Sequence, residues 1–429
     1  MPQGNNFQHA NYSRSNPGDR ALIRQFEPGA PPDSLAWRDA MGDLGRRMGA
    51  AGVRTVLFMH GTVLGTDPFG MQRLDEAGGL RRGYSRGIPG LEALLALMRA
   101  GSNGLPSFQG GQKPPLHDDD QTKKLIDDQA GDACNFTAEY VESFHNAVNR
   151  DATRSLICQR FLWCCGHHHL GRARAALALL HHLRTLCQES HLGAGDRILV
   201  QAHGQAGLVV ALLSNLLAPG GSSGRTKFLQ ALKLGIAEAG GENQRSAGLG
   251  DIEQLESLLQ TGQVLNSVSL DVVTFGTPIR YGWDTAGLGS LLHLVNHRPM
   301  RGDGKQWLAK MELPQITMEM PIAWGGDYIQ QLAVAGSDAV PTTPKAQAAN
   351  RALWELLEPY DGFERWLECA RKSVRCANDG ACLLVDYQDA GSTTAWDHVY
   401  GHAAYTRLNA LLFNTTEIVR ALYTPPSSS

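Results

Sequence analysis

The chain has 429 residues, with 39 Lys+Arg against 42 Asp+Glu and a formal net charge of −3 at pH 7. So near a balance offers no basic stripe to follow a phosphate backbone, which argues against nucleic acid as a ligand. No stretch reaches the ~18 apolar residues of a membrane span, and a chain this long can bury a core without disulfides.

The start, "MPQGNNFQHANYSRSNPGDR", is polar and lacks the basic and apolar regions of a secretory signal. The reading is a cytoplasmic protein, with signal-independent export left open. Residues 1–50 are rich in Pro, Gly and Asn and read as an irregular arm carrying one short helix over 34–49. "VRTVLFMHG" (53–61) is apolar and β-branched, closed by glycine, as expected of a strand buried on both faces. Residues 65–135 mix Gly, Pro and charge and read as loop with short helices.

From 137 to 190 the apolar spacing is helical, ending at "LGAGD". "RILVQA" (197–202) is the next strand and leads into the helix "GLVVALLSNLL". Residues 219–267 read as an insertion of glycine-rich loops and amphipathic helices, where a cap often sits over an open sheet. "LDVVTFGTP" (270–278), "YIQQLAVAGSD" (328–338) and "ACLLVDY" (381–387) are further strands, and "YTRLNALLFNTTEIVRALY" is a closing helix. Strands alternating with helices over this length predict a mostly parallel sheet covered on both faces, in one α/β domain over 51–423 with a disordered tail at 424–429.

"VQAHGQAGLVVALL" (200–213) carries the functional question. It is a strand turning sharply into a helix, with Ala202 and Ala206 flanking a glycine tip at Gly204. Such a corner holds its tip in strained backbone geometry and requires small residues two before and two after, where strand and helix approach. A hydrolase places its nucleophilic serine at this tip. Glycine tolerates the backbone geometry without steric cost and brings no attacking oxygen.

On "MHGT", "AHGQAG", "VVTFGTP" and "AGSD" followed by "GHAAYTR", the chain resembles the α/β-hydrolase family, in particular bacterial lipase- or esterase-like proteins. The resemblance runs from about residue 53 to 423. It implies the α/β-hydrolase fold, with helical and loop insertions over 65–135 and 219–267 as a cap. The family order of nucleophile, acid and histidine maps onto Gly204, Asp338 and His402, with His398 as a rival for the base. Oxyanion donors would be the backbone N–H groups of Gln205 and Thr62, in the loop His60-Gly61-Thr62. Neither a cofactor nor a metal is implied.

Three functional readings follow from the missing hydroxyl. The first is a pseudoenzyme that binds an acyl or lipid-like ligand, or a protein partner. The second is a hydrolase using histidine-activated water or another nucleophile such as Ser337 or Thr277. The third is a variant of an ordinary serine esterase. Other signals carry less. The histidines of "CCGHHHLGRAR" (164–174) are consecutive and project about 100° apart on a helix, so they cannot all face one ion. "CARKSVRCANDGAC" lacks zinc-module spacing, "HDDD" reads as a solvated loop, and "GGSSG" as a flexible connector. The tryptophans concentrated in the C-terminal half read as core in preference to a pocket lining.

Overall fold

A computed structural model describes residues 7–8, 21–61, 120–163, 168–220, 223–236, 242–297, 326–327, 329–330, 341, 343–357, 376–387 and 401–424. Seven strands form one all-parallel sheet: β1 (Ala21–Gln25), β2 (Val53–Met59), β3 (Ile157–Phe161), β4 (Arg197–His203), β5 (Ser269–Phe275), β6 (Ser290–Asn296) and β7 (Ala381–Asp386). Their order across the sheet is β1-β7-β6-β5-β4-β2-β3. Nine α-helices are found among the described residues: α1 (Leu35–Ala50), α2 (Asp120–Ala130), α3 (Ala138–Val148), α4 (His169–Glu189), α5 (Ala206–Leu217), α6 (Ser223–Ile236), α7 (Glu242–Thr261), α8 (Pro344–Leu357) and α9 (Leu411–Leu422). None of them is long and apolar enough to cross a membrane.

The central strands are apolar on both faces because both faces are covered, and alternate residues of one strand feed two separate cores. In β4, Ile198, Val200 and Ala202 pack with residues of α4, α5, α6, α7 and α8 on one side. Leu199 of the same strand packs with α1, α3 and α9 on the other. The glycine-rich segment 219–267 thus contributes α6 and α7, whose Phe228, Leu232, Ile252 and Leu255 belong to the first core.

The order of strands fixes where a site can form. From β2 the chain moves outward to β3, then returns across β2 to β4 and continues away through β5, β6 and β7. The helix before β3, α3, packs in one core, whereas α5, which follows β4, packs in the other. The connections flanking adjacent β2 and β4 thus place helices in opposite cores, which makes the carboxyl ends of these two strands a topological switch point, the usual ligand position in an open parallel sheet.

Strands β2, β4, β5 and β7 lie where the sequence predicts them. Three others do not appear in that reading. The stretch expected to be an irregular arm contributes β1, which pairs with β7 at the sheet edge. The helical reading of 137–190 is interrupted by β3, an edge strand of mixed polarity. β6 lies between β5 and β7. Of the expected strand 328–338, residues 329–330 are helical and the remainder lies outside the described residues.

Candidate functional site

Gly204 ends β4 at φ +53°, and its N–H donates to the Phe275 carbonyl at the end of β5 (2.8 Å). The corner is as crowded as the sequence implies. Ala202 and Ala206 are fully buried. A Cβ on Gly207 would lie 2.0 Å from the Thr277 hydroxyl oxygen, so only glycine fits there. Thr277 donates its hydroxyl to the Gly204 carbonyl (2.9 Å), which holds the tip to the loop after β5.

His402 faces this tip. A Cβ built on Gly204 would lie 2.7 Å from His402 Nε2 and 3.8 Å from the Gly61 Cα. The other ring nitrogen, Nδ1, donates to Asp327 Oδ2 at 2.7 Å. Asp327 is fully buried and receives two more hydrogen bonds, from the Tyr405 hydroxyl (2.8 Å) and from the Gln330 N–H (2.8 Å). Tyr405 in turn accepts from the Asn296 N–H at the end of β6 (2.7 Å). Burial and the Asp327 charge push the Tyr405 phenol well above its ordinary range, which keeps it a donor to the carboxylate.

Glycines make this convergence possible. A Cβ on Gly276, at φ +57°, would sit 2.3 Å from Asp327 Oδ2 and 3.0 Å from His402 Nδ1. The "FGTP" turn is thus the floor on which acid and imidazole meet. Gly401, at φ +82°, lies against the Gly326 carbonyl, where a Cβ would approach to 2.2 Å.

The residue that accepts from His402 Nδ1 is therefore Asp327, which the sequence reading passes over in favour of Asp338. Asp338, His398, Thr62 and Ser337 lie outside the described residues. A signal for Asp327 was available: "GGDYIQ" sets a turn and then an acid three residues before Gln330, a helix-start pattern, and Asp327 Oδ1 caps the Gln330 N–H.

The remaining predicted residues have defined places. His60 is buried with both ring nitrogens on backbone: Nδ1 donates to the Gly61 carbonyl (2.8 Å), and Nε2 accepts from the Trp163 N–H (3.2 Å). Burial pushes its pKa down to about 4, so this imidazole is neutral. Gly61 donates its N–H to the Cys134 carbonyl (2.9 Å) and packs against His203. Gln205 begins α5, and its side-chain oxygen accepts from Arg172 Nη1 (3.0 Å). Arg172 is fully buried and also donates to the Tyr281 hydroxyl (2.8 Å), which contacts His169 Nδ1 at 2.6 Å. Of the three consecutive histidines, His168 caps α4 and His169 belongs to this network, so both have structural roles.

Two further side chains enter the site: His203, which the sequence places next to the tip and reads as packing, and Cys134, which it reads only as a reduced thiol. His203, fully buried, donates Nε2–H to the His402 carbonyl (2.8 Å), and its Nδ1 has no hydrogen-bond partner among the described residues. Burial and the neighbouring His402 hold it well below its ordinary pKa, so it too is neutral. Cys134, in the turn between α2 and α3, is a free, buried thiol whose pKa burial and Asp327 raise well above the ordinary range. Ligand atoms of Cys134, His203 and His402 all lie within 4.8 Å of one another.

Chemically, the arrangement joins an oriented imidazole, a buried carboxylate and a helix N-terminus around a tip that carries no side-chain nucleophile. Comparison with known proteins finds no matching family profile, no matching curated protein and no matching solved structure.

Proposed function

We propose that this chain is an α/β-hydrolase-like pseudoenzyme that binds an acyl or lipid-like ligand at the carboxyl edge of its sheet. The observation that carries this reading is the vacant tip: Gly204, at φ +53°, stands opposite a His402–Asp327 pair and offers no oxygen to attack an ester. Three features support it. The corner meets the small-residue requirement of a nucleophile elbow. Tip, acid and histidine follow one another along the chain as 204, 327 and 402, the order of the α/β-hydrolases. The site lies at the switch point of a parallel sheet.

Covalent catalysis requires an activated oxygen or sulfur that forms an acyl intermediate. Thr277, offered by the sequence as a substitute, gives its proton to the Gly204 carbonyl and packs against Gly207. With no nucleophile at the tip, a serine-hydrolase site retains only ~10³- to 10⁴-fold over water. The test is turnover of short and medium acyl p-nitrophenyl esters by the unmodified protein and by His402→Ala. The expected outcome is negligible turnover by both. Hydrolysis at ordinary enzyme rates that His402→Ala abolishes would overturn the reading.

A further inference from the structure

The structure assigns a zinc-type metal site to Cys134, His203 and His402, at the tip where the nucleophile is missing. It goes beyond the pseudoenzyme reading and does not depend on it, since it rests on three side chains and their partners alone.

The donor set is one sulfur and two imidazole nitrogens, which suits a borderline-soft, tetrahedral ion. All three residues are buried, and their ligand atoms lie within 4.8 Å of one another. Around a tetrahedral zinc such atoms are separated by roughly 3.5 Å, so closing on the ion requires shifts on the order of 1 Å.

The outer contacts matter more than the spacing. A histidine that binds a metal gives its other ring N–H to a carboxylate or a backbone carbonyl, which fixes the tautomer and aims the free nitrogen. Both histidines have that arrangement. His402 donates Nδ1–H to Asp327, leaving Nε2 as the lone-pair nitrogen beside Gly204. His203 donates Nε2–H to the His402 carbonyl, leaving Nδ1 as the lone-pair nitrogen beside Gly61.

The independent observation is that His203 Nδ1 is fully buried and, among the described residues, has no hydrogen-bond partner. A buried polar atom left unsatisfied is costly, and water or an ion is its usual resolution. Only glycine at 61 and 204 lets the backbone approach both lone pairs this closely: a Cβ would lie 2.2 Å from His203 Nδ1 at position 61 and 2.7 Å from His402 Nε2 at position 204, so a side chain at either position would obstruct a ligand atom. With three protein ligands the ion keeps a fourth position for water or a ligand atom, as catalytic zinc sites do.

The test uses the full chain after chelation, titrated with Zn²⁺ against a chromophoric competitor and, in parallel, with Co²⁺. One ion per chain is expected, with tetrahedral Co²⁺ bands and a thiolate-to-metal absorption. X-ray absorption of the zinc form should give one sulfur near ~2.3 Å and at least two N/O neighbours near ~2.0–2.1 Å. Cys134→Ser should lower affinity at least 100-fold and remove the thiolate band, and Asp327→Asn should lower affinity ~10- to 100-fold. The double change Cys164→Ser/Cys165→Ser, in the Cys/His-rich stretch, should leave binding intact. Should Cys134→Ser fail to fold, the sulfur count in that double variant decides the matter. Binding below one ion per chain, no sulfur in the shell, a Cys134→Ser protein that binds unchanged, or loss of binding in the double variant would each overturn the assignment.

Discussion

Gly276→Ala isolates the convergence of acid and imidazole on the turn after β5. The substitution has two costs. The first is backbone: at φ +57° a Cβ costs ~1–2 kcal/mol. The second is spatial, because that Cβ would lie 2.3 Å from Asp327 Oδ2, 2.8 Å from Tyr405 Cε2 and 3.0 Å from His402 Nδ1. Asp327 and Tyr405 are fully buried and cannot yield into solvent. Overpacking of this kind costs ~1–3 kcal/mol, and displacing the carboxylate weakens a charge-assisted hydrogen bond worth ~1.5–3 kcal/mol. The total is on the order of 3.5–8 kcal/mol. Gly131→Ala supplies the control: φ there is +52°, and a Cβ would meet nothing within 4 Å, so only the backbone cost applies. Denaturant unfolding of the two variants at pH 7, read as midpoint shifts at constant m, measures the difference. At least ~2 kcal/mol should separate them, because the spatial term alone is of that size. Equal losses would refute the argument that Gly276 is required by the acid and the imidazole.

Two further outcomes follow from buried polar groups. His60 is held down from 6.5 to about 4, so between those values the unfolded chain binds a proton that the folded one refuses. Stability is fully present above the unfolded value and falls as pH drops through the window, by about 2 kcal/mol between pH 7 and 4.5 from this group. His60→Gln should lose correspondingly less over that range in denaturant titrations, and an unchanged pH dependence would contradict the assignment. Asp271, fully buried in β5, accepts from Arg197 Nη1 at 2.8 and 2.9 Å and from the Tyr423 hydroxyl at 2.9 Å. Arg197→Met strands that charge and should cost ~3–5 kcal/mol, most of it recovered in Arg197→Met/Asp271→Leu. A loss under ~1 kcal/mol in the single variant would show that the pair contributes little.

The legible part of the fold was the part buried on both faces. β2, β4, β5 and β7 are mostly apolar runs closed by turns, and burial on both faces favours such a pattern. β1 and β3 lie at the two ends of the sheet, where "ALIRQ" and "ICQRF" need not be apolar throughout, so their pairing leaves little trace in composition. β6 carries His293, whose Nδ1 lies 2.6 Å from the Thr274 hydroxyl, a polar pair visible only once β5 and β6 are adjacent.

The same division holds at the site. Gly204 and His402 stand out in the sequence because an elbow and a glycine-histidine turn are local features. Asp327 lies in a short turn that the sequence presents as the approach to a strand ending at Asp338. Cys134 has no local signature, being in a turn from a distant segment, while His203 lies next to the tip in a strand where packing is the default reading. Only the close approach of Gly61 to both makes them a group.

The most direct measurement of the central claim is fluorophosphonate labelling, in metal-free buffer, of the unmodified protein and of Gly204→Ser, with adducts located by mass spectrometry. Serine at φ +53° requires His402 Nε2 to retreat by about 0.7 Å for its Cβ to reach ordinary contact, and the imidazole would still face the new hydroxyl. The account predicts no adduct on the unmodified chain and an adduct on the introduced serine in the variant. A folded variant that remains unlabelled, or an unmodified chain labelled at any serine of its own, would contradict it.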